Sequence, residues 1–452
     1  MMLFCGVDIG TTNLKIALVD DTSAVLWTRV IPTPRASDGI GEATDPCQLL
    51  EVVEDGIITG CSAVGRGRAL SAISTTGVGE DGVCLDRALR PLGAAIPWFD
   101  RRAEAEADFI ANSSASTPRA GIRMDPTRSG AKWLWMRKRQ PEMVAAAKCW
   151  AALTDFPLIF WSGRPFMSET LASRTGCFDF AARRWLPELL ALCEAPPLPE
   201  TLRGGAVIGT VSGDRLLSAG VATQSTLLVA GGHDHPVAAS AIQQISPLAR
   251  VDSLGTANVL YGETQSVVAD HFNPDVCFVP PVRSQQGVGC LGALEFSHAV
   301  RPLEAELRAV LALPAIPGEP YRGGLLHPES DRLLWVRRLL ETVGFRARSI
   351  FEAMDGVGVP PAPIFATGGW SRSDALLALR ASIYGASVTA LSELELAVVG
   401  AALLAAEASG ASVQFSPTTR TIDPVGAWSE AYQEIYREYP RSRGAVQIAA
   451  KG

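Results

Sequence analysis

Residues 3 to 20 read LFCGVDI, then GTTN, then LKIALVD: an apolar run, a tight polar turn at Gly10-Thr11-Thr12-Asn13, and a second run alternating with period two. This strand-turn-strand is the strongest constraint on the fold. A P-loop or Rossmann site needs its glycine-rich turn to open a helix, and Leu14 to Asp20 continue as a strand instead. Both nucleotide folds are thereby disfavoured. A second hairpin of the same kind is predicted in ARVDSLGTANVLYGE, where Gly255-Thr256-Ala257-Asn258 echoes the first turn. Two such hairpins about half a chain apart predict two domains built on one plan, each offering a turn to a ligand between them.

Helical spacing marks RRAEAEADFIANSS, SGAKWLWMRKRQPEMVAAAK, RLLWVRRLLETVGFRARSIFEAMDG and LELAVVGAALLAAEASG. Strands and helices alternate through both halves, which points to α/β domains. The apolar strand TLLVAGG ends at Val229 to Gly232, the natural division, giving domains 1–230 and 231–452. The net charge of -7 offers no basic footprint for nucleic acid or an anionic membrane. No apolar run of about 18 residues and no signal peptide is evident, so the expected location is cytoplasmic. The nine cysteines never fall in C-x-x-C spacing and read as reduced thiols, and the five histidines lack zinc spacing.

Asp8 ends an apolar strand directly before the glycine turn. It is either a turn-capping carboxylate or the hard oxygen ligand that a phosphate-bound Mg²⁺ requires. Asp234, in VAGGHDHPVAASAI, is either an ordinary helix N-cap or a carboxylate placed to accept a proton from a substrate hydroxyl. Gly368, Gly369, Ser371 and Ser373 form a strand-to-helix turn where backbone can approach a flat ring or a phosphate, or they form a plain loop. Glu395 and Gly400 read as a helix start and a close-packing residue. Glu80, Asp81, Trp98, Asp100 and Arg102 supply carboxylates, a forked donor and an aromatic face suited to a carbohydrate, while each also fits a loop charge or a core aromatic.

Taken in order, VDIGTTNLKIALVD, PWFDRR, SGAKWLWM with Lys132, LTDFPLIFWSG around Asp155, SETLASRTGCFDFAARRWLPELL, GGHD, SLGTAN, ATGGWSRSD and ELAVVGAALLAA resemble the FGGY carbohydrate kinases. The resemblance covers nearly the whole chain. It implies an α/β fold of two actin-like (ribonuclease H-like) domains with a ligand cleft between them. The implied activity is phosphoryl transfer from ATP, with Mg²⁺, to a hydroxyl of a small sugar or polyol, either a ketose or a sugar alcohol. In that reading Asp234 is the catalytic base and Asp8 helps hold magnesium. Gly10, Thr11, Thr12, Gly255 and Thr256 face phosphates, and Gly368, Gly369 and Ser371 flank the adenosine. Glu80, Asp81, Trp98, Asp100 and Arg102 line the substrate pocket. Residues 1–230 then carry the substrate site and first hairpin, and residues 231–452 carry Asp234 and the adenosine site. Val78-Gly79 and the histidines flanking Asp234 depart from the familiar pattern, so the sugar cannot be copied from a relative. A homodimer stays open. Two other classes share these motifs: an actin- or chaperone-like ATPase, and a sugar sensor that has lost turnover.

Overall fold

The computed structural model describes residues 2–65, 68–113, 117–255, 257–267, 275–294, 304–311, 320, 332–393 and 395–439. Strands β1 (Leu3–Ile9), β2 (Asn13–Asp20) and β3 (Val25–Pro32) are followed by helix α1 (Pro46–Val64) and strand β4 (Ala72–Gly77). Helices α2 (Ser129–Arg139) and α3 (Phe156–Ser162) precede strands β5 (Val207–Thr210) and β6 (Leu227–His233), and β6 runs straight into helix α4 (Asp234–Gln243). Strands β7 (Arg250–Leu254), β8 (Asn258–Thr264) and β9 (Val288–Leu294) come next, then helix α5 (Arg332–Gly356), strand β10 (Ile364–Thr367) and helix α6 (Asp374–Tyr384). Strand β11 (Val388–Leu391), helix α7 (Leu396–Ala408), strand β12 (Thr419–Ile422) and helix α8 (Gly426–Glu438) follow.

The chain forms two compact units: Met1–Ile245 with Cys277–Gly289 and Glu395–Ser416, and Ser246–Val276 with Cys290–Leu394 and Pro417–Gly452. This partition differs from a single division after residue 230. β6 leads into α4 without a break, and α7 returns to the first unit, so Asp234 belongs to the first unit.

In the first unit the sheet order is β5-β6-β4-β1-β2-β3. β1 pairs antiparallel with β2, while β4 is parallel to both β1 and β6. In the second unit the order β8-β7-β10-β11 repeats this plan, with β8 antiparallel to β7 and β10 and β11 parallel to it. Each sheet is therefore a central strand with a hairpin partner on one side and two parallel strands on the other. The turns differ in detail. Gly10 N–H donates to the Asn13 carbonyl at 3.1 Å, whereas Gly255 N–H donates to the Ala257 carbonyl at 3.3 Å, one residue sooner.

Every residue of β1 is buried, because helices cover both faces of its sheet. Cys5, Val7 and Ile9 pack with Leu49, Val53 and Ile57 of α1, and Phe4 packs with Ala405 and Ala406 of α7 on the other face. Up to Ala406 helix α7 is apolar on nearly every side since it is buried on nearly every side, between the sheet and α4. A Cβ on Gly400 would lie 2.6 Å from the Val237 carbonyl, so glycine there lets the two helices meet. The helical pattern expected through residues 129–148 breaks at Gln140, where Pro141 starts a new short helix because its ring nitrogen has no proton to donate. No helix among the described residues is long and apolar enough to cross a membrane.

Candidate active site

The parallel strands β1, β4 and β6 deliver their carboxyl ends to one edge of the first unit's sheet, where open α/β sheets place their ligands. Ile9 and His233 both register with Gly77, so Asp8, the segment Val78 to Asp81, and Asp234 emerge side by side. Gly232 makes the β6-to-α4 corner possible: its φ is +135°, and a Cβ there would be 2.1 Å from Thr170 Oγ1.

Asp8 is buried. Lys15 Nζ, from the facing strand β2, lies 3.4 Å from its Oδ2 and 2.7 Å from Glu395 Oε2. Asp8 Oδ1 is buried with no hydrogen-bond partner. Burial pushes the carboxyl up to about 7; Lys15 opposes this, and the charges of Asp234 and Glu395 add to it. A buried, unpaired carboxylate oxygen is costly unless a ligand meets it.

Asp234 opens α4 with its side chain 27% exposed. Burial pushes its carboxyl up, but His235, His233 and a 2.7 Å hydrogen bond from the His235 N–H outweigh it, and the net shift is downward. Asp234 is thus an ionised carboxylate with access to a ligand. His233 Nε2 and His235 Nε2 stand 3.3 and 3.7 Å from Asp234 Oδ1. Burial drives His233 down to about 3, so that ring is neutral near pH 7, and its Nδ1 is buried without a partner.

Glu80 is clamped by two arginines. Arg174 donates to its Oε1 from Nε at 2.9 Å and from Nη2 at 2.6 Å, and Arg128 Nη1 donates to the same oxygen. Asp81 accepts the Trp98 N–H at 2.6 Å, and burial raises it to about 6 against the pull of Lys132 and Arg35. Lys132, buried and bonded to the Pro97 carbonyl at 2.5 Å, is driven by that burial down to about 8. Trp98 keeps 37% of its surface exposed while its indole N–H is satisfied by Thr11 Oγ1 at 2.8 Å. Asp100 and Arg102 pair with each other in a bidentate bridge at 3.0 and 2.7 Å, and Arg102 also bonds Asp38 and lies over Trp135. Gly10 accepts from Thr33 Oγ1 at 2.7 Å, and Thr12 is exposed.

In the second unit, Gly368 has a φ of +88°, and a Cβ there would lie 2.6 Å from the Leu254 carbonyl. The turn therefore rests directly on the end of β7. Gly369 opens a short 3-10 turn, and Ser371, fully buried, donates to the Gly368 carbonyl at 2.8 Å. Gly255 begins the β7-β8 turn, and Thr256 lies outside the described residues.

Sequence reading missed Lys15, Arg128, Arg174 and the ion pair of Glu395. Lys15 alternates like any strand residue, and Arg174 lies far from Glu80 along the chain, so only the register with Asp8 offered a signal for the lysine. Asp155 has its donors from within the protein. It is fully buried and accepts from Ser168 N–H at 2.7 Å and Ser168 Oγ at 2.8 Å. Among the described residues no cluster of three or more His, Cys, Asp or Glu could hold a metal ion. A cation at Asp8 would therefore need ligands from a bound phosphate and water, the usual arrangement for Mg²⁺.

Residues 3–241 match the model described as the FGGY family of carbohydrate kinases, N-terminal domain, and residues 300–409 match the C-terminal domain of the same family. A xylulose kinase of Streptomyces rubiginosus is 26% identical over 439 residues, covering 89% of this chain and 87% of that protein. A glycerol kinase of Gloeobacter violaceus is 26% identical over 451 residues, covering 89% of this chain and 88% of that protein. The crystal structure of a "xyloylose kinase" from Brucella ovis shares the fold with a TM-score of 0.84 at 22% identity, over 97% of this chain and 98% of that one.

Proposed function

The chain belongs to the FGGY family of carbohydrate kinases, and on that footing we propose that it transfers a phosphoryl group from ATP to a hydroxyl of a small open-chain ketose or sugar alcohol. The observation that carries the reading is the pairing, on one sheet edge, of an ionised and accessible Asp234 with a buried Asp8 whose Oδ1 has no partner.

Asp234 accepts the proton of the attacking hydroxyl. Its depressed pKa makes it a weak base, so its value lies in position: in a loose phosphoryl-transfer transition state the hydroxyl oxygen gains acidity as its bond to phosphorus forms. The oxygen keeps the electron pair, the phosphoryl group passes to it, and ADP leaves. Asp8 fits the role of a magnesium ligand, since its unmatched oxygen is hard and anionic. Bound there, magnesium supplies charge neutralisation for the phosphate oxygens. Lys15 keeps Asp8 from standing as an uncompensated charge and is itself held by Glu395.

Gly10, Thr11 and Thr12 offer their turn to phosphates, as do Gly255 and Thr256; Gly368, Gly369 and Ser371 are assigned to the adenosine. Glu80 and Asp81 are the hydroxyl acceptors, and the exposed face of Trp98 covers substrate C–H surface. Asp100 and Arg102 neutralise each other, which suits them to shaping the wall of the pocket rather than reading hydroxyls.

The test is a screen of pentuloses, hexuloses, tetritols, pentitols, glycerol and gluconate for ADP release with ATP and magnesium. One or more of these is expected to stimulate ADP formation with an equal amount of phosphorylated product. ADP formation at the same rate without any of them would instead favour a partner-coupled ATPase.

A further inference from the structure

Glu80 lies just past the end of β4 and is 6% exposed. Its bonds from Arg174 and Arg128 all fall on Oε1. A carboxylate has about four acceptor sites over its two oxygens, so Oε2 retains its full capacity. Burial alone would favour the protonated acid; Arg174 first and Arg128 next reverse this and keep Glu80 an acceptor.

Arg174 is itself fixed. The 3-10 turn Ser173–Thr175 that carries it is tied back by Ser173 Oγ to the Thr170 carbonyl at 2.8 Å and by Thr175 Oγ1 to the Ala172 carbonyl at 2.7 Å. Its Nη1 reaches Cys277 Sγ at 3.4 Å. Its aliphatic stem lies over Gly79. A Cβ on residue 79 would fall 2.4 Å from Arg174 Cγ and 3.1 Å from His233 Cδ2. The arginine stem thus fills the space that a side chain at 79 would claim, and Gly79 underlies both the clamp on Glu80 and the His233 corner beside Asp234.

We propose that Gly79 and Arg174 together set acceptor specificity: Arg174 is a positioning residue that immobilises Glu80 through Oε1 and leaves Oε2 for one substrate hydroxyl. The substrate class is a small open-chain polyol or ketose that has this hydroxyl, and the analogue lacking it is rejected, because its binding leaves a buried carboxylate oxygen unpaired. This rests on the kinase reading above.

The experiment takes the best acceptor from the screen and a set of its single-deoxy analogues, and measures kcat and KM for acceptor and for ATP in wild type, Arg174→Met, Arg174→Lys, Gly79→Ala, Glu80→Gln and Arg174→Met/Glu80→Gln. In wild type one deoxy analogue should be worse by about 10²-fold or more in kcat/KM. Arg174→Met should raise the acceptor KM roughly tenfold or more and shrink that discrimination, while KM for ATP stays within about twofold. Gly79→Ala, which pushes on the arginine stem, should do the same to a smaller degree, and Arg174→Lys should restore part of the discrimination. The double variant should be no worse than Glu80→Gln alone, since both changes act through the Glu80 carboxylate. Should Arg174→Met not fold, Gly79→Ala and Arg174→Lys decide the matter. Equal losses on acceptor and deoxy analogue, a parallel rise in KM for ATP, or additive single effects would each overturn the proposal. A wild-type protein that phosphorylates no acceptor would defeat the kinase reading and this proposal with it, a result distinct from retained activity with unchanged discrimination.

Discussion

The two units carry the same hairpin, and each places a buried aspartate on its first strand, yet the two carboxylates live in opposite conditions. Asp252, on β7, accepts from Asn258 Nδ2 at 2.6 Å and from the Tyr384 hydroxyl at 2.6 Å, with Arg380 Nη1 3.8 Å away. Arg380 and Asn258 close the ring through a 2.7 Å bond. Asp8, on β1, has one lysine at 3.4 Å and a bare Oδ1, and burial pushes it up to about 7. Burying a carboxylate costs free energy in either place. In the second unit the protein meets that cost with its own donors, which makes Asp252 part of the framework; in the first it offers Lys15 to one oxygen and leaves Oδ1 bare, the oxygen that the proposed reading keeps for a ligand.

The largest effect expected from this contrast lies at the first unit's edge. Asp234→Asn keeps shape and removes the proposed proton acceptor, so turnover should fall by roughly 10²–10⁴-fold with ATP affinity retained. Steady-state kinetics and a binding titration check this, and near-normal turnover in the folded variant would take Asp234 out of the mechanism. The second unit should respond in the opposite sense. Asp252→Ala strands Arg380 without its carboxylate and should destabilise the protein by about 3 kcal/mol, with little change in kcat beyond that from lost folded protein. Denaturant unfolding beside initial rates would show it, and a kinetic defect without loss of stability would break the comparison.

The smallest effect concerns Asp155, a third buried aspartate, which has two donors from Ser168 yet is raised by burial to about 7. Its folded-state pKa lies above the ordinary 3.8, so the native protein holds this proton the more tightly. The resulting stability is present below about pH 4 and is lost as pH rises toward about 7. Asp155→Asn cannot titrate, so its stability should decline less over that window. Unfolding curves at several pH values measure the slope; an unchanged slope would mean that Ser168 holds Asp155 ionised throughout.

The hairpins were legible because period-two alternation after Gly10 and Gly255 has no helical reading, and Asp8 and Asp234 stood out as carboxylates at the junctions of apolar strands with turn or helix. What encloses them was not. Arg128 and Arg174 meet Glu80 only after α2 and the segment beyond α3 have packed, and no local pattern marks a basic residue as the partner of a distant acid. The return of α7 to the first unit was hidden for a related reason. An all-apolar helix announces that it is buried but not against what, and the identity of its neighbour rests on close contacts such as Gly400 on Val237 and Gly6 on Val398. Asp100 and Arg102 illustrate the converse. Side chains suited to bonding a sugar were visible, while their satisfaction by each other and by Asp38 is a property of the fold.

The claim that Asp8 is held for a ligand is tested most directly by titrating magnesium in the acceptor-dependent ADP-release assay with Asp8→Asn beside wild type, and taking unfolding midpoints on the same preparations. The expected result is a higher magnesium requirement and turnover lower by about 10²-fold, with an unfolding midpoint that holds or rises because a buried carboxylate with one bare oxygen has been replaced by a neutral amide while Lys15 keeps Glu395. An unchanged magnesium titration together with a lowered midpoint would make Asp8 a framework carboxylate like Asp252, and would contradict the account.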